Sequence, residues 1–203
     1  TDGTVLTTFS GHRAAVHDLM FEQNGQQLAT ASDDGTVRLW QQNNDWLIPL
    51  QGHGAAVNTV AFSADVTHLV TASDDNTVKL WRKQENRVAL LHTLAGHTGR
   101  VAQAVFSPDG RTVATAGEDK LIRLLNVADG SLQQTYPARN ENNLSLDDAH
   151  SEPITSLAFS PDGQYLISGD AGNKVKLWDS QTGFLQEEPK PDGDTITQVT
   201  FSS

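Results

Sequence analysis

No cysteine occurs among the 203 residues. That excludes a disulfide framework and thiolate metal ligands, and fits a reducing compartment, with the cytoplasm as the expected location. Aromatic residues make up only 6% and mostly fall at recurring positions, so no stacking platform for single-stranded nucleic acid is left over. Basic side chains are few: 14 Lys and Arg against 25 Asp and Glu give a formal charge of −11. No Lys/Arg cluster offsets this balance, so neither nucleic acid nor a membrane surface is an expected partner. Apolar runs stay well short of the roughly 18 residues that a membrane helix requires, and no basic-then-apolar leader precedes the first motif. Glycine-rich phosphate loops and a His-Glu-x-x-His helix are also missing, and with them the motifs for phosphate cradling and zinc proteolysis. The chain opens on Thr1 rather than Met, which reads as a cut piece. Its length suits one domain that buries about 70% of its unfolded surface.

What is present is repetition. SDDGTVRLW at Ser32 to Trp40 returns as SDDNTVKLW at Ser73 to Trp81, then as GEDKLIRLL at Gly117 to Leu125 and GDAGNKVKLW at Gly169 to Trp178. The copies end 41, 44 and 53 residues apart, in or near the period of a propeller blade. In each, a polar turn runs into a short segment whose Val, Ile and Leu alternate with a basic residue, which is strand periodicity. Gly11-His12, Gly52-His53 and Gly96-His97 place a histidine 28 residues before the end of their copies, and Ala149-His150 is a degenerate fourth.

A Gly-His and a Trp at this separation, with the strand pattern between them, resemble the WD-repeat (WD40) β-propeller family over nearly the whole chain. The resemblance implies an all-β fold of four-stranded antiparallel blades around a channel, each repeat giving the outer strand of one blade and the inner three of the next. Repeats then fall at about 10–50, 51–94, 95–135 and 149–188. Within them, strand a is Val16 to Phe21, Val57 to Phe62, Val101 to Phe106 and Ile154 to Phe159. Ser-Pro-Asp-Gly turns follow at 107–110 and 160–163, where Pro presets φ and Gly permits a positive one. Strand b is rich in small residues, as a close approach between blades requires. Thr4 to Phe9 reads as a lone outer strand and Thr195 to Phe201 as a lone inner one, so partial blades at 1–9 and 189–203 bring the expected tally to 18 strands. Such a chain is an arc of a larger, typically seven-bladed ring, and needs the remainder of that ring or another chain for closure. Tyr136 to Asp148, polar and without alternation, reads as a surface loop on the channel-mouth face.

Histidine, hydroxyl and carboxylate recur together, and these are the parts of a nucleophilic triad. An active site is needed once, however, whereas this set recurs at blade period. The resemblance implies instead a structural tetrad in each blade: His12, Thr30, Asp34 and Trp40; His53, Thr71, Asp75 and Trp81; His97, Thr115 and Asp119, with Leu125 where Trp belongs; and His150, Ser168 and Trp178, with Gly172 where Asp belongs. The last two blades are therefore expected to be less rigidly tied. The remaining histidines, His17, His68 and His92, are isolated, and no metal or other cofactor is implied.

What remains is a surface. In this family partners commonly dock where the d-to-a and b-to-c loops surround the channel mouth. Carried over residue by residue, that face holds Asp33, Asp74 and Glu118 just before the tetrad acids, with His17, Asn58, Arg100 and Thr155 at the start of strand a. Three acids at one rim position concentrate negative potential, which favours a protein or peptide partner bearing Lys or Arg. The reading is a non-catalytic protein-interaction scaffold. Its alternative is the sensor or autoinhibitory propeller of a larger signalling ATPase or kinase, which a P-loop or kinase motif elsewhere in the parent protein would reveal.

Overall fold

In the computed structural model, residues 4–5, 7–41, 44–84, 87–137, 148–189 and 196–202 are described. Four antiparallel meanders follow one another along the chain. The first is β1 (Val16–Phe21), β2 (Gln27–Ser32), β3 (Val37–Gln41) and β4 (Asn44–Leu50); the second is β5 (Val57–Phe62), β6 (His68–Ser73), β7 (Val78–Gln84) and β8 (Arg87–Leu94). The third is β9 (Val101–Phe106), β10 (Thr112–Gly117), β11 (Ile122–Asn126) and β12 (Leu132–Tyr136), and the fourth is β13 (Ile154–Phe159), β14 (Tyr165–Asp170), β15 (Val175–Asp179) and β16 (Leu185–Glu187). Every sheet runs in sequence order, a-b-c-d.

The a strands β1, β5, β9 and β13 stand side by side, whereas among the described outer strands β4 and β8 meet far less closely. The sheets thus fan out from an inner edge, which is the geometry of propeller blades. Their core lies between consecutive blades. Ala29, Ala31, Val37, Leu39 and Leu50 of the first sheet meet Val57, Val60, Phe62, Leu69 and Trp81 of the second. Val70, Ala72, Val78 and Leu80 meet Val101, Ala104, Val113 and Val127 of the third, and Ala114, Ala116, Ile122, Leu124 and Tyr136 meet Ile154, Leu157, Leu166 and Trp178 of the fourth. A b strand is covered on both faces, so alternation gives way to continuous burial. In β2, β6 and β10 the alanines at 29, 31, 72, 114 and 116 are fully buried and let the next sheet approach.

The a-to-b turns share one construction. Ser107 Oγ donates to Asp109 Oδ1 at 2.6 Å and Gly110 N donates to Ser107 O at 2.9 Å; Ser160 and Asp162 repeat the arrangement. Gly25, Gly110 and Gly163 hold the left-handed position at φ near 70°, and in the second blade Val66 holds it at φ 59°, a conformation that costs a β-branched residue dearly.

The ends depart from the 18-strand tally: among the described residues 16 strands form. Neither 4–5 and 7–9 nor 196–202 is a strand, and Leu6 and Thr195 lie outside the described residues. Neither segment forms a strand ladder among the described residues, and without a ladder an extended segment is not a strand. The later one still takes an inner-strand place: Val199 is buried and its N–H donates to Ser156 Oγ at 2.9 Å, as Val60 N donates to Asp18 Oδ2 at 3.0 Å between the first and second sheets. At the opposite flank Val16, Leu19, Met20 and Phe21 of β1 are exposed. The described sheets form an open row. The surface loop also shrinks at its start: Tyr136 ends β12, is buried, and donates its hydroxyl to Ser180 O at 2.6 Å, while 138–147 lie outside the described residues.

Candidate functional site

Inside each blade the recurring histidine meets its neighbours at hydrogen-bond distance. His12 Nδ1 lies 2.9 Å from Asp34 Oδ2, its Nε2 lies 2.7 Å from Thr30 Oγ1, and Trp40 Nε1 donates to the same oxygen at 2.8 Å. His53, Asp75, Thr71 and Trp81 repeat this at 2.9, 2.8 and 3.0 Å. An indole can only donate, so the hydroxyl accepts from Trp and spends its own proton on Nε2, which leaves Nδ1–H to donate to the carboxylate. The hydroxyls are buried, Thr71, Thr115 and Ser168 fully so, and no substrate reaches them. Nucleophilic chemistry finds no footing here.

The carboxylates are held as anions. Burial opposes ionisation of Asp34, but donors from Thr36, the Arg13 N–H and His12 outweigh it and keep the carboxyl well below the usual range. Asp75 is held low against burial by Thr77, Gly54 N–H and His53, and Asp119 by His97 and Arg123. Burial pushes His53 and His150 toward the neutral form, which is the form the relay requires.

The third and fourth blades correct the expectation of looser ties. His97 lies 2.9 Å from Thr115 and 3.0 Å from Asp119. With Leu125 replacing the indole, Arg123 donates to Asp119 at 2.7 Å and forms a mostly buried ion pair with it. In the fourth blade the acid is present, two positions early. His150 Nδ1 lies 2.8 Å from Asp170 Oδ2, His150 Nε2 lies 2.6 Å from Ser168 Oγ, and Trp178 donates to Ser168 at 2.8 Å. Asp170 sits at the register of Ser32 and Ser73, at the end of strand b. Its Oδ1 also accepts from Gly172 N and Lys174 N, both at 2.9 Å, so one carboxylate serves the histidine and caps the turn. Gly172 is no vacancy: a Cβ there would lie 2.8 Å from Glu152 Cγ and 3.3 Å from Asp170 Oδ1.

The rim is built by a recurring bulge. Pairing of a with b slips after Val16, Val57, Val101 and Ile154, so His17, Asn58, Ala102 and Thr155 oppose no partner and their side chains are re-aimed. The b-to-c turn is tied to the start of strand a in each blade, with Asp33 N, Asp74 N, Glu118 N and Ala171 N donating to the carbonyls of Ala15, Ala56, Arg100 and Pro153 at 2.9–3.0 Å. These two devices bring Asp33 and Asp74 beside a bulge side chain, and the turn tie brings Glu118 beside Arg100, just ahead of its a strand. His17 Nε2 lies 2.6 Å from Asp33, Asn58 donates to Asp74 at 2.7 Å, and Arg100 Nε lies 3.2 Å from Glu118. Both the His17–Asp33 and Arg100–Glu118 pairs are about half exposed. Thr155, beside the non-acidic Ala171, donates to Gly169 O at 3.4 Å. The acids are therefore not bare, and two of the three carry a basic neighbour that sequence reading did not pair with them. Among the described residues no group of three His, Asp or Glu converges as a metal site would need, and no helix is long and apolar enough to cross a membrane.

A family model described as "WD domain, G-beta repeat" matches residues 3–41, 45–82, 89–126 and 142–179. The chain is 37% identical over 46 residues to the periodic tryptophan protein 2 homolog of Mus musculus, covering 23% of this chain and 5% of that protein. It is 34% identical over 47 residues to ribosome assembly protein 4 of Saccharomyces cerevisiae, covering 23% and 9%. An uncharacterized WD repeat-containing protein of Schizosaccharomyces pombe is 60% identical over 30 residues, 15% of this chain and 5% of that one. The chain thus spans under a tenth of the length of these relatives, and each match is about one repeat long.

Proposed function

The chain belongs to the WD-repeat family, and from that premise we propose that it is a non-catalytic scaffold that binds a protein or peptide partner on its channel-mouth rim. The observation that carries this reading is the set of acids around the mouth: Asp33, Asp74 and Glu118 recur at one position on three blades, Asp33 and Asp74 beside the bulge residues His17 and Asn58, and Glu118 beside Arg100, which precedes the third bulge. Buried groups of the repeat are consumed by folding, whereas Asp33, Asp74 and Glu118 are exposed. A partner's Lys or Arg would add to Asp74 directly and would compete with His17 and Arg100 for the other two acids. Electrostatic complementarity of this kind governs encounter and specificity more than raw affinity. That one relative is named for ribosome assembly is compatible with a role inside a larger assembly. Its likeness, one repeat long, carries the repeat rather than the partner. The lack of cysteine suits work in a reducing compartment such as the cytoplasm.

The test is a charge-reversed variant, Asp33→Lys with Asp74→Lys and Glu118→Lys, compared with the parent on an array of Lys/Arg-bearing peptides and their Gln-substituted controls. The reading expects the parent to prefer basic peptides and the variant to lose that preference while its circular dichroism and melting curve persist. Equal preference in both proteins sinks it.

A further inference from the structure

At the other end of the blades from the rim, a groove of about 740 Å³ opens between the second and third sheets. Leu91, Val127 and Ala128 give it an apolar floor, and His68, Arg82 and Arg111 line it with basic groups. The one acid in its lining, Asp109, stays anionic, accepting from Ser107 Oγ at 2.6 Å and from the Arg111 backbone N–H at 3.0 Å with the Arg111 charge acting on it, against three basic side chains. Neither Arg82 nor Arg111, both exposed, joins an ion pair among the described residues.

The repeat supplies its own control. The cross-strand pair at this register is Gln27 with Gln41 in the first blade, His68 with Arg82 in the second, Thr112 with Asn126 in the third and Tyr165 with Asp179 in the fourth. The residue just before strand b is Gln26, Thr67, Arg111 and Gln164 in turn. The corresponding groove between the third and fourth sheets, about 780 Å³, is lined by Asp109, Asp162, Gln133 and Ser180 and by no basic residue. Folding imposes the same demands on all four blades, so the fold does not require His68, Arg82 and Arg111. They converge on one groove of a chain whose net charge is −11.

We propose that this groove binds a short acidic protein segment, with carboxylates on Arg82 and Arg111 and an aliphatic side chain on the Leu91 and Val127 floor. The occupant is short because the surrounding negative charge repels an extended polyanion; this argues against nucleic acid. A planar guanidinium takes a carboxylate through two parallel hydrogen bonds, which suits two arginines better than it would two lysines.

Fluorescence anisotropy tests it, using a short fluorescein-labelled peptide of glutamates flanking a leucine, the same peptide with glutamine for glutamate, and a single-stranded oligonucleotide. The glutamate peptide is expected to bind the parent at least about tenfold more tightly than the glutamine peptide, with an advantage that shrinks as salt rises. Arg82→Gln with Arg111→Gln imports the first blade's residues and should weaken the glutamate peptide by a similar factor at unchanged melting temperature; Arg82→Lys with Arg111→Lys should retain part of the binding. Equal binding of the two peptides to the parent overturns the proposal without recourse to any variant. So does an unweakened glutamine variant, or an oligonucleotide that binds more tightly than the acidic peptide.

Discussion

Replacing Asp170 by alanine removes an acceptor from three donors at once: His150 Nδ1 at 2.8 Å, Gly172 N at 2.9 Å and Lys174 N at 2.9 Å. The site is dry, since both side chains of the His150–Asp170 pair are at most 1% exposed. The two amides lie in a turn that water reaches, but the imidazole does not. Leaving one buried donor unmet costs about 1–3 kcal/mol, and hydrogen bonds to a charged acceptor lie at the upper end. With a smaller share from the amides, Asp170→Ala should destabilise by about 2–4 kcal/mol. For a domain of this size that lowers the melting temperature by about 2–4 °C per kcal/mol. Asp75→Ala should cost less, about 1–3 kcal/mol, because the Asp75 side chain is 17% exposed and water can partly replace it. Gly172→Asp, which a reading by turn position alone would offer as a repair, should also destabilise, since its carboxylate would crowd Glu152 and face the Asp170 charge. Urea and thermal melts followed by tryptophan fluorescence and circular dichroism give these values. If Asp170→Ala stayed within experimental error of the parent while Gly172→Asp stabilised it, the assignment of the fourth acid would be wrong.

Further outcomes concern strain, pH and association. Val66→Gly should raise stability by about 0.5–1 kcal/mol in the same melts, because relief of a β-branched left-handed residue exceeds the lost packing and the added chain entropy; a loss would mean that contact with the core outweighs the strain. Stability should fall as pH drops in two stages. Neutral His53 and His150 are favoured in the fold, so the unfolded chain takes up their protons first, below about pH 6.5, and the depressed Asp34, Asp75 and Asp119 withdraw their share only below about pH 4. A melting temperature that stayed flat from pH 7 to the pH 3 region would contradict the buried relays. The exposed Val16, Leu19, Met20 and Phe21 flank should make this polypeptide self-associate with rising concentration. Sedimentation of the parent beside Leu19→Lys checks it, and identical monomeric profiles would refute it.

The four a strands run between the same residues in the sequence and in the structure, because each has a valine or isoleucine at its start, a phenylalanine at its end and a turn on either side. Alternation and turn chemistry are local signals, and they carry the fold. What escaped was non-local. Asp170 is hidden in the sequence because its turn aligns by length with the others while its carboxylate reaches the histidine from the strand end. Arg123 reads like Arg38 or Lys79, yet loss of one indole sends it to Asp119. The bulges at 17, 58 and 155 leave no mark on the hydrophobic pattern, although they set the rim. For the same reason each rim acid looked bare in the sequence, while the register places a partner beside it.

The central claim is that the rim recruits a basic partner. Its most direct measurement is the association rate of a Lys/Arg-bearing peptide selected on the array, followed by stopped flow against ionic strength for the parent and for the Asp33→Lys, Asp74→Lys, Glu118→Lys variant. The account predicts a parent rate that falls steeply with salt and a variant rate that is slower at low salt and nearly flat. Two proteins with the same rate and the same salt dependence would contradict it.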